Sequence, residues 1–474
     1  MKSKPEVKVN LFFNSIYQLT NILVPLVTLP YLSRVLHAEG LGEYSYAYSV
    51  AYYFYIFIRL GLHSYGNRTI AYVRDDSEKL SKTFFEIYAT QFFLGVIMSA
   101  LYLGYSFLFA PNKALSLIFA LMVLAGGIDL TWMLYGLEEF KTASVRDVAT
   151  KIFTAVCIFS FVKEEDDVWK YALIYSAGFL INQLVILPII KNRVHFIKPD
   201  LNKVLSHIKP NLVLFLPTVA VSIYRTMDKI MLGVMSTEAE LGYYHGAENV
   251  IRVPLALVTA LGTVMLPRMS NMISNKESET EIKSVFSKSI MFAIFVASSV
   301  SLGIMTVAKE FVPIFYGIGF DKCIDLFNIV LPSCIFVAFA NVIRTQYLLP
   351  RKKDVLFVSS LFAGAAVNVI LNFMLIPRLA SVGAAVGTLA AEIVVCIVQS
   401  ACVFKEANIG RNIINSLPFL FAGIVMFVAF HNYSLSIHNS IVALLVKIII
   451  SGLLYLSVLG VIIMAKRVLI KKTA

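Results

Sequence analysis

Apolar stretches of about 20 residues follow one another along this chain, separated by short charged or turn-forming connections. Spanning the hydrocarbon core of a bilayer takes about 20 mostly apolar residues per helix, and windows of that length place fourteen spans. They cover 11–33, 44–67, 84–109, 114–136, 148–162, 169–190, 211–235, 244–266, 289–308, 324–349, 355–377, 381–404, 413–431 and 441–465. The expected fold is therefore an all-α membrane protein with about 14 transmembrane helices. The first segment, Leu11–Leu36, is too long for a signal-peptide core, carries Pro25 and Pro30, and shows no small-residue cleavage site. It reads as the first span, with Met1–Asn10 (Lys2, Lys4, Lys8) left in the cytoplasm.

Two connections carry helical stripes of their own. In Asp200–Lys209, Leu201, Val204, Leu205 and Ile208 share a face; in Glu279–Lys288, Ile282, Val285 and Phe286 form a narrower one. Both are expected to be short helices lying in the headgroup plane.

The pattern also repeats at an offset of 200 residues. Leu32, Leu41, Gly42, Tyr44 and Ala47 recur as Leu232, Leu241, Gly242, Tyr244 and Ala247, and Leu60-Gly61 is answered by Leu261-Gly262. Six spans separate the copies, an even number, so the halves keep one orientation and form parallel repeats about an axis along the membrane normal. The expected organisation is an N-terminal six-helix lobe at 1–190, a cytoplasmic amphipathic linker at 191–210 and a C-terminal six-helix lobe at 211–404. Two additional C-terminal helices and a basic tail occupy 405–474. Two pseudo-symmetric bundles with a site between them are a transporter layout.

Composition agrees: of 474 residues, 58% are hydrophobic and 15% charged, against about 45–50% and roughly 25% in soluble chains. The net charge of +12 has a topological explanation. With the N-terminus inside, cytoplasmic segments hold 28 of the 41 Lys and Arg, outer loops 7 and spans 6. This is the positive-inside bias, so the basic balance reports topology and attraction to anionic membrane lipids, with no case for nucleic acid. The five cysteines (157, 323, 334, 396, 402) are scattered without metal or disulfide spacing. No Gly-rich phosphate loop, clustered carboxylates or His/Cys ligand set appears. No catalytic centre, metal or cofactor is expected, and the chain does not read as an enzyme.

Chemistry is expected where ionisable residues sit at bilayer depth, since each costs on the order of 2.5–3.5 kcal/mol there and faces protein or water. Arg59, His63, Asp129, Arg225, Asp228, Lys229, Arg252, Arg344, Glu392 and Lys447 are such residues. Arg225, Asp228 and Lys229 fall at i, i+3 and i+4 in the seventh span, and Arg59 with His63 at i, i+4 in the second. One reading has Arg225, Arg59, Arg252, Lys229 and His63 lining a cationic cavity between the halves that holds an anionic headgroup, because the arginine fork bonds two phosphate oxygens at once. The other has Asp228 paired with Arg225 or Lys229 only to lock helices together. Asp228, Asp129 and Glu392 are candidates for ion coupling or for intramembrane pairing, and Lys447 for helix locking.

Several segments are familiar in order and spacing: YLSRVLHAEGLGEYSYA (Tyr31–Ala47), the DLTWMLYGLEEFK run from Asp129 to Lys141, MDKIMLG (Met227–Gly233) leading to MLPRMS (Met265–Ser270), and SVGAAVGTLAAE (Ser381–Glu392). Together they resemble the Wzx-type flippases of O-antigen, capsule and exopolysaccharide repeat units, within the multidrug/oligosaccharidyl-lipid/polysaccharide exporter superfamily. The resemblance implies fourteen helices in two six-helix lobes plus a terminal pair. It implies as substrate an undecaprenyl-pyrophosphate-linked oligosaccharide, moved from the inner to the outer leaflet by alternating access, with headgroup-binding arginines carried to Arg225, Arg59 and Arg252. Implied partners are the membrane lipids, a polysaccharide polymerase and glycosyltransferases, with proton or sodium coupling. Lipid II and multidrug exporters of the same superfamily are the near alternatives; a membrane-embedded polymerase or ligase is the alternative of another class.

Overall fold

A computed structural model describes residues 4–433 and 437–473. Residues 1–3 of the expected cytoplasmic tail, and the side chains of Lys4, Lys8 and the C-terminal basic tail beyond Ala465, lie outside the described residues. The chain is 87% helical and contains no strand among the described residues. Its first compact unit is residues 1–222 and its second residues 223–474.

The first unit comprises α1 (Lys4–Arg59), α2 (Leu62–Val73), α3 (Ser77–Leu108), α4 (Lys113–Gly127), α5 (Thr131–Gly136), α6 (Phe140–Phe161), α7 (Val168–Leu184), α8 (Ile186–Lys191) and α9 (Leu201–Ser222). The second opens with a π-helical turn (Ile223–Met227), followed by α10 (Asp228–Met235), α11 (Glu238–Ser274), α12 (Glu279–Tyr316), α13 (Lys322–Val330) and α14 (Ser333–Ile343). A second π-helical turn (Arg344–Leu348) leads to α15 (Asp354–Leu379), α16 (Ser381–Cys402), α17 (Ile409–Phe430) and α18 (Ser440–Thr473).

Among the described residues, twelve stretches are long and apolar enough to cross a membrane. The first, Ser15–Val73, is 59 residues long and holds two spans, because α1 kinks at His37 (φ 54°, ψ −171°). The 22-residue helix α6 is not among the twelve, since Lys141, Arg146, Asp147 and Lys151 dilute its apolar run. Dividing the first stretch and adding α6 yields the expected fourteen.

Three details differ from the sequence expectations. Helix α6 starts at Phe140, so Lys141 and Arg146, which the expected spans leave in the connection before 148–162, are helical, and Arg146 and Asp147 are buried. The two amphipathic segments are not separate interfacial helices. Leu201–Lys209 forms the first turns of α9, and Glu279–Lys288 those of the 38-residue α12. At 1.5 Å per residue α12 is about 57 Å long, well beyond a hydrocarbon core of about 30 Å, so its amphipathic start continues the span's own helical period. Finally, residues 201–222, expected to be linker and C-terminal lobe, pack in the first unit. A Cβ at Gly61 would lie 2.5 Å from the Asn211 carbonyl oxygen, Phe57 packs edge-on against Phe215 at 5.4 Å, and the Tyr53 hydroxyl donates to the Ser222 carbonyl at 2.9 Å. Gly61 follows Leu60, whose φ is 46°; this break lets α9 approach backbone to backbone.

Within each unit the repeated residues form the core. Leu32, Leu41, Gly42, Tyr44 and Ala47 are buried, and so are Leu232, Leu241, Gly242, Tyr244 and Ala247. Tyr44 stacks on Tyr171 of α7 at 4.0 Å, whereas the Tyr244 hydroxyl lies 2.8 Å from that of Thr388 on α16. The terminal pair is anchored on α12: Tyr455 meets Ser298 at 3.1 Å, and the Lys447 ammonium donates to Glu310 Oε1 at 2.7 Å. Lys447 is 1% exposed. Removing one member of a buried ion pair costs about 3–5 kcal/mol, whereas replacing both with apolar groups is often neutral. Lys447→Met is therefore expected to lower the thermal unfolding midpoint in detergent, Lys447→Met/Glu310→Leu to recover most of it, and transport per folded molecule to stay unchanged. Outside the spans, Lys353 and the Tyr347 hydroxyl both donate to Glu406 (2.6 and 2.7 Å), and these bonds hold its carboxyl below the ordinary glutamate range.

Candidate functional site

In the first unit the chain between α4 and α5 leaves helical conformation at Ile128–Leu130, and its carbonyls are tied down by one side chain. Gln91 donates to the carbonyls of Gly126 (2.8 Å) and Asp129 (2.9 Å) and accepts from the Trp132 indole at 2.9 Å. Trp132 is fully buried and stacks on Phe84. This frame sets the Asp129 carboxylate, 2% exposed, opposite Arg59: Nε lies 3.1 Å from Oδ2. The Tyr55 hydroxyl donates to the same Oδ2 at 2.6 Å and accepts from Arg59 Nη1 at 2.8 Å, and the Thr131 N–H donates to Oδ1 at 3.0 Å. Arg59 retains 21% exposure, so its guanidinium is aimed and still reachable. His63 lies beyond the Leu60-Gly61 break, exposed, with its ring edge-on to Tyr135 at 5.6 Å.

In the second unit Asp228, 1% exposed, opens α10 directly after the π-helical turn. Its carboxylate accepts from three neutral donors: Tyr244 Oη (2.8 Å), Thr388 Oγ1 (2.6 Å) and Asn372 Nδ2 (2.7 Å). Asn372 in turn donates to Asn368 Oδ1 at 3.2 Å. The expected ion pairs of Asp228 with Arg225 or Lys229 are absent. Residues i and i+1 do not face each other on a helix, and the π turn adds a residue to the register, so Arg225 leaves the Asp228 face. Lys229 is instead paired with Glu248 at 2.6 Å, and the other oxygen of Glu248 holds Arg252 at 3.1 Å. Arg225 is exposed. Glu392, half-buried on α16, lies within the electrostatic reach of both Arg225 and Arg344, and each of these arginines sits on a π-helical turn.

The structure thus joins Arg59 to Asp129, Lys229 to Arg252 through Glu248, and Arg225 to Glu392 by charge. It leaves Asp228 in a neutral cradle and His63 at the edge. Sequence reasoning missed Glu248, although its i, i+4 spacing to Arg252 was visible. It also missed the polar pair Asn368/Asn372, one turn apart on α15, and the neighbours Arg146 and Asp147, hidden by placing them in the connection before the span 148–162.

The sequence profile of the family described as "Polysaccharide biosynthesis protein" matches residues 7–273, more than half of the chain. The chain belongs to this family. It is 23% identical over 412 residues to "Putative O-antigen transporter" of Escherichia coli (strain K12), covering 86% of this chain and 98% of that one. It is 27% identical over 165 residues to "Probable low-salt glycan biosynthesis flippase Agl15" of Haloferax volcanii, covering 35% of this chain and 34% of the relative. Among solved structures, "Lipid II flippase MurJ, inward closed conformation" superposes with TM-score 0.77 at 14% identity, covering 96% of this chain and 98% of the other. An inward-facing multidrug resistance MATE family transporter of the MOP superfamily does so with TM-score 0.60 at 13% identity, covering 82% and 98%. These neighbours share the fold. The family resemblance drawn from the sequence motifs is borne out.

Proposed function

We propose that this polysaccharide biosynthesis protein is a flippase that moves undecaprenyl-pyrophosphate-linked oligosaccharide repeat units from the inner to the outer leaflet of the bacterial cytoplasmic membrane. The reading rests above all on basic groups held at membrane depth, with a surplus of positive charge in the second unit. Arg59, Arg146 and Lys151 accompany Glu86, Asp129 and Asp147 in the first; Arg225, Lys229, Arg252 and Arg344 accompany Asp228, Glu248 and Glu392 in the second. A pyrophosphate entering an apolar core needs its hydration replaced, and arginine forks do this with two directed bonds each. The relatives are named as an O-antigen transporter and a glycan biosynthesis flippase, which supports a glycan lipid over a drug.

In this reading both termini are cytoplasmic, as the positive-inside bias favours. Glycosyltransferases supply the repeat unit on the inner face and a polymerase consumes it outside, to build O-antigen, capsule or exopolysaccharide. The charged groups of the two units are exposed alternately to the two sides of the membrane. Coupling to a proton or sodium gradient is assigned to Asp228: its carboxylate is met by a hydroxyl pair and an amide, oxygen-rich chemistry suited to a hard cation or a proton, and it forms no ion pair among the described residues.

The test is deletion of the gene followed by leaflet-resolved analysis of lipid-linked intermediates. Accumulation of complete repeat units on the cytoplasmic leaflet is expected. Normal translocation with unpolymerised units outside overturns the reading in favour of a polymerase.

A further inference from the structure

The first unit holds a second polar network, continuous with the Arg59–Asp129 pair, that phosphate binding leaves unexplained. Thr131 links the two: its N–H donates to Asp129, and its hydroxyl accepts from Arg146 Nη2 at 3.3 Å. Arg146 donates through Nε and Nη2 to Asp147 Oδ1 (3.2 and 2.8 Å), and Asn182 of α7 donates to that same oxygen at 2.7 Å. Lys151, one turn further along α6, donates to Asn21 of α1 and stands 4.7 Å over the ring of Tyr17. The charges of Arg59, Arg146 and Asp147 all reach the Tyr17 hydroxyl.

Helix-to-helix glue would be closed and mutually satisfied. This network is neither. The Arg146 guanidinium, only 5% exposed, keeps Nη1 enclosed without a hydrogen-bond partner. All three bonds to Asp147 arrive at Oδ1, leaving Oδ2 as an uncommitted acceptor. Lys151 has an amide and an aromatic face as partners rather than a carboxylate. Tyr17, Lys151 and Asn182 are each half-exposed, and a face carrying such charges does not look into lipid tails. Planar side chains presenting a donor and an acceptor side by side match the adjacent hydroxyl and acetamido groups of a sugar ring, each of which both donates and accepts. An aromatic ring beside them covers the sugar's C–H face.

We propose that Arg146, Asp147 and Asn182, with the ring of Tyr17, form a saccharide-binding subsite in the first unit. It holds the sugar attached to the pyrophosphate while Arg59 holds the pyrophosphate itself. The proposal rests on the flippase reading and names the part of the substrate recognised here. Lys151 adds a positive charge beside the subsite, which favours a sugar bearing a carboxylate or phosphate.

The experiment compares two probes on the purified full chain in detergent: undecaprenyl pyrophosphate without sugar, and the lipid-linked repeat units extracted from the deletion strain. The wild type is expected to bind the second at least about tenfold more tightly. Asp147→Asn and Tyr17→Leu are expected to bring that ratio close to one while affinity for bare undecaprenyl pyrophosphate stays within about twofold. Tyr17→Leu removes the ring without touching the Arg146–Asp147 pair, so it reads the subsite even where Asp147→Asn folds poorly. A wild-type ratio of one, unchanged ratios in both variants, or equal weakening of both probes overturns the subsite and leaves the flippase reading standing. Failure of the wild type to bind either lipid overturns the flippase reading itself.

Discussion

Replacing Arg59 with glutamine is expected to abolish most transport, and the double replacement Arg59→Gln/Asp129→Asn is expected to restore the fold without restoring transport. The pair is unequally buried, Asp129 being 2% exposed and Arg59 21%. Removing the arginine strands a carboxylate with no countercharge, a cost of about 3–5 kcal/mol for buried pairs. Tyr55 and the Thr131 amide, which both donate to Asp129, soften it. Asp129→Asn strands only a guanidinium that reaches water, so its stability cost is smaller. Transport ranks the variants differently. A charge-assisted hydrogen bond to phosphate contributes about 1.5–3 kcal/mol, so losing Arg59 weakens headgroup binding roughly 10- to 150-fold, whether or not Asp129 is neutralised. The unfolding midpoint in detergent should order the variants as Arg59→Gln lowest, then the double variant, then Asp129→Asn. Leaflet-resolved transport should fail in both variants lacking Arg59. Full transport by Arg59→Gln at normal protein level removes Arg59 from the substrate path.

The second large effect is expected from adding a single methyl group at Gly387. A Cβ there would stand 2.1 Å from Asn372 Oδ1 and 3.1 Å from its Cγ, so Asn372 has to move. Asn372 donates to Asp228 at 2.7 Å, and Gly387 lies within α16, where alanine is the better helix former. Gly387→Ala therefore strengthens its own helix and disturbs the Asp228 cradle at the same time. If Asp228 is the coupling group, gradient-driven transport should fall by about 5- to 150-fold, the usual range of coupling between sites. Binding of bare undecaprenyl pyrophosphate should not change. Asp228→Asn should reproduce this split, because the amide brings an N–H₂ towards donors that the carboxylate accepted from. The two variants fail the prediction together if they lose binding and transport in equal measure, which would make the cradle structural.

The spans were legible because twenty apolar residues leave few alternatives: in lipid every backbone polar group has to be satisfied within its own segment, which only helices achieve here. The repeat was legible because the matched positions, such as Leu41 and Leu241, are both fully buried and vary little in what they can be. The start of α6 was misplaced for the converse reason. Arg146 and Asp147 dilute the apolar run, and their mutual pairing, which makes burial tolerable, is invisible until both are placed against Asn182.

The sequence by itself determined the class of molecule, the number of spans, the duplication and the set of ionisable groups that had to be accommodated at depth. Which charge meets which partner was decided only by the tertiary structure. Helical periodicity says which residues share a face but not what that face meets, so Asp129 and Arg59, 70 positions apart, became a pair only when α1 and the α4–α5 break were brought together. Periodicity also assumes a constant 3.6 residues per turn. The π-helical turn at Ile223–Met227 suspends that rule at the densest cluster, separating Arg225 from Asp228 and leaving the carboxylate to Tyr244, Thr388 and Asn372.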